Sequence, residues 1–290
     1  MVRVWKGFTH MAGLAGRFLG ACLGLWLGLC AATAAEVSFP SPADAVPGVA
    51  GITYLDLLRE IVPDLEAADG SYRGRTIVTL RHISGPDWEP APPEEAAVGS
   101  VSALALEDGR LLVLADLGQG SDAAEGFAVL GLFDPAKKPR LVDAADVAFD
   151  RMTWFLEPVT LDLGAGGLAV LTMSMHSNSS QAYVTSAIVS VGERLELIDS
   201  VFTFDERNCT YERTQRLAVE ARAEGVGPAA IAGTIVDTTT PTGNDCGDEA
   251  APAPATATIA VTWRWDEGEK RYKPDSDAFE RLAAEAEERF

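Results

Sequence analysis

Short apolar runs follow one another along most of this chain, and the gaps between them are tight turns with no room for a crossover. Ser100–Glu107 and Arg110–Leu117 flank Asp108-Gly109, a dipeptide that readily adopts the positive φ of a two-residue hairpin. Phe127–Phe133 and Arg140–Val147 flank a turn from Asp134 to Lys138. Thr160–Leu163 and Leu168–His176 flank Gly164-Ala165-Gly166-Gly167, and Tyr183–Val191 and Leu195–Phe204 flank Gly192-Glu193-Arg194. Parallel neighbours need a connection of about a dozen residues or more, so such gaps dictate sequential antiparallel pairing. The expected fold class is therefore mainly β, made of consecutive antiparallel hairpins in a meander, a sandwich or a propeller-like sheet. The strands on either side of Asp108-Gly109 are apolar on both faces, which predicts a central position covered on both sides.

The two ends of the chain read differently. Residues 36–51 are rich in Pro, Gly and Ala and predict an extended arm. Thr53 is placed to cap a short helix carrying Leu55, Leu58, Ile61, Val62 and Leu65, which Pro63 interrupts or ends. Residues 66–74 read as a turn, Thr76–His82 as a strand and Gly85–Glu95, with its four prolines, as a loop. Beyond residue 205, Tyr211–Ala221 and Ile231–Thr238 are strand candidates, and Thr239–Ala255 is a long polar loop. The cleanest alternation in the chain follows, with Ala257, Ile259, Val261, Trp263 and Trp265 on one face and Thr256, Thr258, Thr262 and Arg264 on the other. From about Asp277, Phe279, Leu282, Ala283, Ala286 and Phe290 form the stripe of an amphipathic helix that should dock on the sheet. Residues 52–290 are expected to form a single β-rich domain with a sub-boundary near 205–210.

The first thirty-five residues have the three-part form of a secretory signal. Arg3, Lys6 and Arg17 make a basic leader, an apolar run extends from Phe18 to Ala32, and the small residues Ala32-Thr33-Ala34-Ala35 precede the first acid, Glu36. A signal peptidase accepts small side chains at its cleavage site, so the expected cut lies between Ala35 and Glu36. The run is shorter than the roughly 20 apolar residues that a membrane span takes. Cysteine usage agrees with this reading. Cys22 and Cys30 leave with the leader, and Cys209 and Cys246 remain as an even pair with neither His nor further Cys between them. In an oxidising compartment that pattern predicts a disulfide. The expected location is exported, either periplasmic or extracellular.

Charge narrows the partners. The leader holds three of the 23 basic residues and none of the 43 acids, so the chain's net charge of −20 becomes −23 on cleavage. Such a field repels nucleic acid and anionic membrane surfaces and favours cationic ligands. The expected partner is a cationic protein or a small molecule, with no nucleic acid and no membrane span after cleavage.

No motif in the chain specifies a chemistry. Gly118-Gln119-Gly120 after a strand superficially matches a dinucleotide fingerprint, but that needs a helix at once to meet the pyrophosphate. Here Phe127-Ala128-Val129-Leu130 continues as a strand. His176 lies beside Ser177, Ser179 and Ser180, yet it alternates with Thr172 and Ser174, the polar face of a half-buried strand, and no G-x-S-x-G elbow occurs. Asp143, Asp146 and Asp150 form one acidic group, and Asn244, Asp245, Asp248 and Glu249 form another around Cys246; neither has calcium-loop spacing. Trp263 and Trp265 fall on an apolar face, while Trp88 lies in a loop and is the surface aromatic. No cofactor and no catalytic or metal-ligating residue is assigned. The expected function is a non-catalytic exported binding or scaffold module. The alternatives are an exported hydrolase using acidic residues or a serine of the 177–180 turn, and a calcium-stabilised structural domain.

Overall fold

The computed structural model describes residues 36–86, 88, 91–120, 125–135, 139–165, 167–244, 246–247 and 250–287. The leader and Ala35 lie outside the described residues; Glu36 begins them. The architecture is mainly β, with antiparallel sheets of consecutive strands and a short C-terminal helix.

The N-terminal part comprises β1 (Val37–Ser38), α1 (Tyr54–Leu58), β2 (Glu66–Ala68), β3 (Ser71–Gly74), β4 (Arg81–His82), β5 (Ala96–Ala97), β6 (Ser100–Ala105), β7 (Leu111–Gln119), β8 (Gly126–Asp134) and β9 (Arg140–Asp146). Six of these make the first sheet, in the order β1-β6-β7-β8-β9-β4. All its pairs are antiparallel except β4 with β9, where His82 lies opposite Asp146. Thr53 caps α1 reciprocally with Asp56: the Asp56 N–H donates to Thr53 Oγ1, and the Thr53 N–H donates to the Asp56 carboxylate.

The remaining strands are β10 (Met152–Gly164), β11 (Gly167–Ser177), β12 (Gln181–Val191), β13 (Leu195–Arg207), β14 (Tyr211–Arg222), β15 (Ala230–Pro241), β16 (Ala255–Asp266) and β17 (Arg271–Pro274), followed by α2 (Ala278–Glu287). They pair strictly in sequence order. The ladder between β13 and β14, however, consists only of Glu206 with Arg213 and Arg207 with Glu212. The chain turns a corner at residues 208–210, and β14–β17 fold back over β10–β13.

Side-chain alternation places these strands in three stacked β layers. Along β7, Leu111, Val113, Ala115 and Leu117 pack under α1 and its flanking loops. Leu112 and Leu114 pack the other way, against Val170 of β11 and Ala187 and Val189 of β12. The middle layer alternates similarly: Ala169, Leu171 and Ile188 face outward into a third core with Val219, Ile231, Val261 and Trp263. Helix α2 closes this core with Phe279 and Leu282. Both the first sheet and the middle layer are thus covered on two faces, as continuous apolar strands require.

Several elements differ from the sequence expectation. Residues 66–74 form the hairpin β2–β3, with Asp69 and Gly70 both at positive φ. Thr76–His82 contracts to β4 because its first half spends backbone groups elsewhere: the Thr76 N–H donates to Asp64 and the Val78 N–H to the Ile61 carbonyl. Strand β10 starts eight residues earlier than Thr160. The register with β11 shifts between Phe155 and Thr160, which lifts Pro158 out of the ladder that it cannot donate to. The arm contributes β1 to the first sheet and buries Val46.

Candidate functional site

The sequence-derived residues do not converge on one point. Cys209 and Cys246 form a disulfide, with sulfurs 2.01 Å apart. It sits at the β13–β14 corner, where Thr242 Oγ1 and Asn244 Nδ2 also donate to the Cys209 carbonyl. Asp245, Asp248 and Glu249 lie outside the described residues.

Asp143, Asp146 and Asp150 are not a solvated acidic loop; each carboxylate is committed to a different tie. Asp143 accepts from Arg81 and from the Leu195 N–H, both at 2.7 Å, linking the first sheet to the middle layer. Asp146 is buried and accepts from the Ala148 N–H at 3.0 Å and the Ala128 N–H at 3.4 Å. Burial pushes its carboxyl up to about 7, and the nearby Glu125 charge adds to that rise. Asp150 takes a 2.5 Å hydrogen bond from Nδ1 of His176. Among the described residues no group of three or more His, Cys, Asp or Glu is placed to hold a metal ion.

His176 stacks on Tyr183, with ring centroids 4.5 Å apart. The strand face it shares is not solvated as expected: Thr172 and Ser174 are each 1% exposed. They point between the layers, where Ser174 Oγ accepts from the Phe149 N–H and bonds Thr153 Oγ1. Of the turn serines, Ser180 is engaged locally, its Oγ donating to Asn178. Among the described residues, no hydrogen bond joins His176 to a serine. Gly118 and Gln119 are the last two residues of β7, and Ser121, Asp122 and Ala123 lie outside the described residues.

The structure instead brings together a site that no linear segment announces. Because β14 leaves β13 at once, the outer edge of β13 stays open, and a cleft of about 380 Å³ runs along it. All three layers and α2 contribute. Loops beside the first sheet supply Ser84, Trp88 and Phe149; the middle layer supplies Thr185, Asp199, Ser200 and Phe202. Val261, Pro274, Ser276, Phe279, Glu280 and Ala283 complete the rim.

The first wall is set by His82, which is fully buried. Its Nδ1 accepts from the Ser84 N–H at 3.2 Å, so the ring proton lies on Nε2, which donates to the Ala148 carbonyl at 2.9 Å. Trp88 stacks on the imidazole at 4.8 Å and Phe149 meets it edge-on at 5.0 Å. Burial pushes the His82 pKa down, which keeps the ring neutral. The floor is set by Asp199. Its Oδ2 accepts from the Trp263 indole at 2.6 Å and its Oδ1 from the Ser200 N–H at 2.8 Å. Burial raises the Asp199 carboxyl, and the Glu280 charge raises it further. Trp88, the aromatic expected at the surface, is 36% exposed and lines this cleft.

Other clefts of similar volume occur, of about 480 and 450 Å³, but this one gathers more aromatic rings than either. Its size falls in the usual range for small-molecule sites, roughly 300–1,000 Å³. No family model matches this chain, and neither a curated protein nor a solved structure matches it.

Proposed function

We propose that this chain is an exported, non-catalytic binding module whose ligand site is the cleft along the open edge of β13. The observation that carries the reading is the convergence of four aromatic residues onto one cleft: Trp88 and Phe149 from loops beside the first sheet, Phe202 from the middle layer and Phe279 from α2. Such walls, fixed by hydrogen bonds at His82 and Asp199, favour a preformed site. Export is supported by the signal-like leader and by the disulfide, a bond that persists in oxidising compartments. Among the described residues no helix is long and apolar enough to cross a membrane.

Crystals of the Glu36–Phe290 chain soaked with a mixed fragment library test the binding reading. Fragments are expected to collect against Trp88 and Phe149. Turnover of generic ester or glycoside substrates, with a serine-directed probe labelling Ser179 or Ser180, would replace it with the hydrolase. Sequencing the N-terminus of exported protein tests the leader, and Glu36 is the expected first residue.

A further inference from the structure

Within that cleft, the polar groups point to one class of ligand. Asp199 lies on its floor and Glu280 on its rim, and among the described lining residues there is no Lys or Arg. Among the described residues neither carboxylate has an ion-pair partner; the donors to Asp199 are the neutral Trp263 indole and Ser200 amide. Asp199, partly desolvated by burial, feels the repulsion of the Glu280 charge, and a cation between two such carboxylates is stabilising. The aromatic walls suit the same charge, because ring faces carry a negative quadrupole that attracts ammonium groups. The net charge of −20 also concentrates cations around the protein.

We propose that the cleft takes a small organic ammonium ion, its charged head between Asp199 and Glu280 and its apolar part against Trp88, Phe149 and Phe202. This rests on the cleft being the ligand site. A hydrophobic neutral ligand would fill the aromatic walls but leave both carboxylates facing an apolar body, an arrangement that costs desolvation without compensation.

The test compares choline with 3,3-dimethyl-1-butanol, which replaces the quaternary nitrogen by carbon at nearly constant shape. Binding to the Glu36–Phe290 protein is followed by calorimetry and by Trp fluorescence at low salt. Choline is expected to bind about tenfold more tightly than the alcohol. Glu280→Gln, an exposed position whose change leaves the core intact, should weaken choline severalfold and leave the alcohol unchanged. Trp88→Ala should weaken both. Asp199→Asn should weaken choline most, and its folding is checked by circular dichroism because Asp199 also holds Trp263. Equal affinity for the two compounds, insensitive to Glu280→Gln, overturns the ammonium ligand and leaves the cleft as a binding site. If neither compound binds while neutral fragments occupy the cleft, the ammonium ligand again fails alone. If nothing occupies the cleft, the binding reading fails with it.

Discussion

The indole of Trp263 donates a 2.6 Å hydrogen bond to Asp199, tying the outer β layer to the middle one at the floor of the cleft. Trp263 is fully buried, and its ring also packs against Phe279 of α2. Trp263→Phe keeps an aromatic ring but removes the donor. A hydrogen bond to a charged group contributes roughly 1.5–3 kcal/mol, and the smaller ring leaves a void. A loss of about 2–3 kcal/mol in urea unfolding is expected. A double-mutant cycle with Asp199→Asn should show coupling of about 1 kcal/mol or more; additive effects would remove the bond from the account.

Gly233 leaves the room that the indole needs. A methyl group there would come within 2.8 Å of the Trp263 ring and 2.9 Å of the Phe279 ring. Gly233→Ala, otherwise a mild change in a strand, is expected to destabilise by about 1–3 kcal/mol through overpacking. It should also perturb ligand binding in the cleft, since the displaced indole is the one that holds Asp199.

Two buried titratable groups of the first sheet act on stability with opposite signs. Asp146 keeps its proton up to about pH 7 in the folded protein, whereas an unfolded aspartate releases it near 4. The native state therefore binds more protons in that window. Its contribution is fully present below about pH 4 and is lost as pH rises through 7, on the order of 4 kcal/mol in all. His82 is lowered by burial, so its contribution is present above about pH 6.5 and is lost as pH falls below that. Urea titrations across pH check both. Asp146→Asn should gain on the wild type as pH rises from about 4 to 8, and His82→Gln should flatten the acid side. A pH profile unchanged by either substitution would contradict this description.

The Cys209–Cys246 bond closes a stretch with a sequence separation of 37. In the chain-entropy model a loop of that length contributes about 4 kcal/mol. The paired Cys209→Ser, Cys246→Ser variant is expected to unfold at lower denaturant by about that amount. A change below about 1 kcal/mol would mean that Thr242 and Asn244, which also bond the Cys209 carbonyl, hold the corner by themselves.

The elements that sequence reasoning recovers are those whose signal is local. Asp108-Gly109 and the glycine turns at 164–167 mark hairpins because backbone conformation at a turn is set by the residues in it. Asp69-Gly70 carries the same signal, yet the strands beside it are too short and polar to show a period. The first half of β10 is hidden by Pro158, which reads as a break until the register shift around it is seen. Thr172 and Ser174 look like a solvent face, since their type is polar; their burial depends on which sheet lies over them, and alternation alone cannot say that. The cleft is beyond any local reading. Its lining runs from Ser84 to Ala283, and it exists because β14 abandons β13 after two residue pairs.

That early parting has a thermal consequence. The ladders β6–β7, β7–β8 and β8–β9 run for six or seven residue pairs, whereas β13 and β14 share two, and β14–β17 lie over β10–β13 on apolar side chains with a few polar ties, among them Trp263 to Asp199 and Gln215 to Phe204. Attraction between apolar surfaces fades on cooling. Chilling is therefore expected to free this outer leaf before the rest, and faster amide exchange along Tyr211–Arg222 near freezing than at room temperature, relative to β7 and β8, would register it.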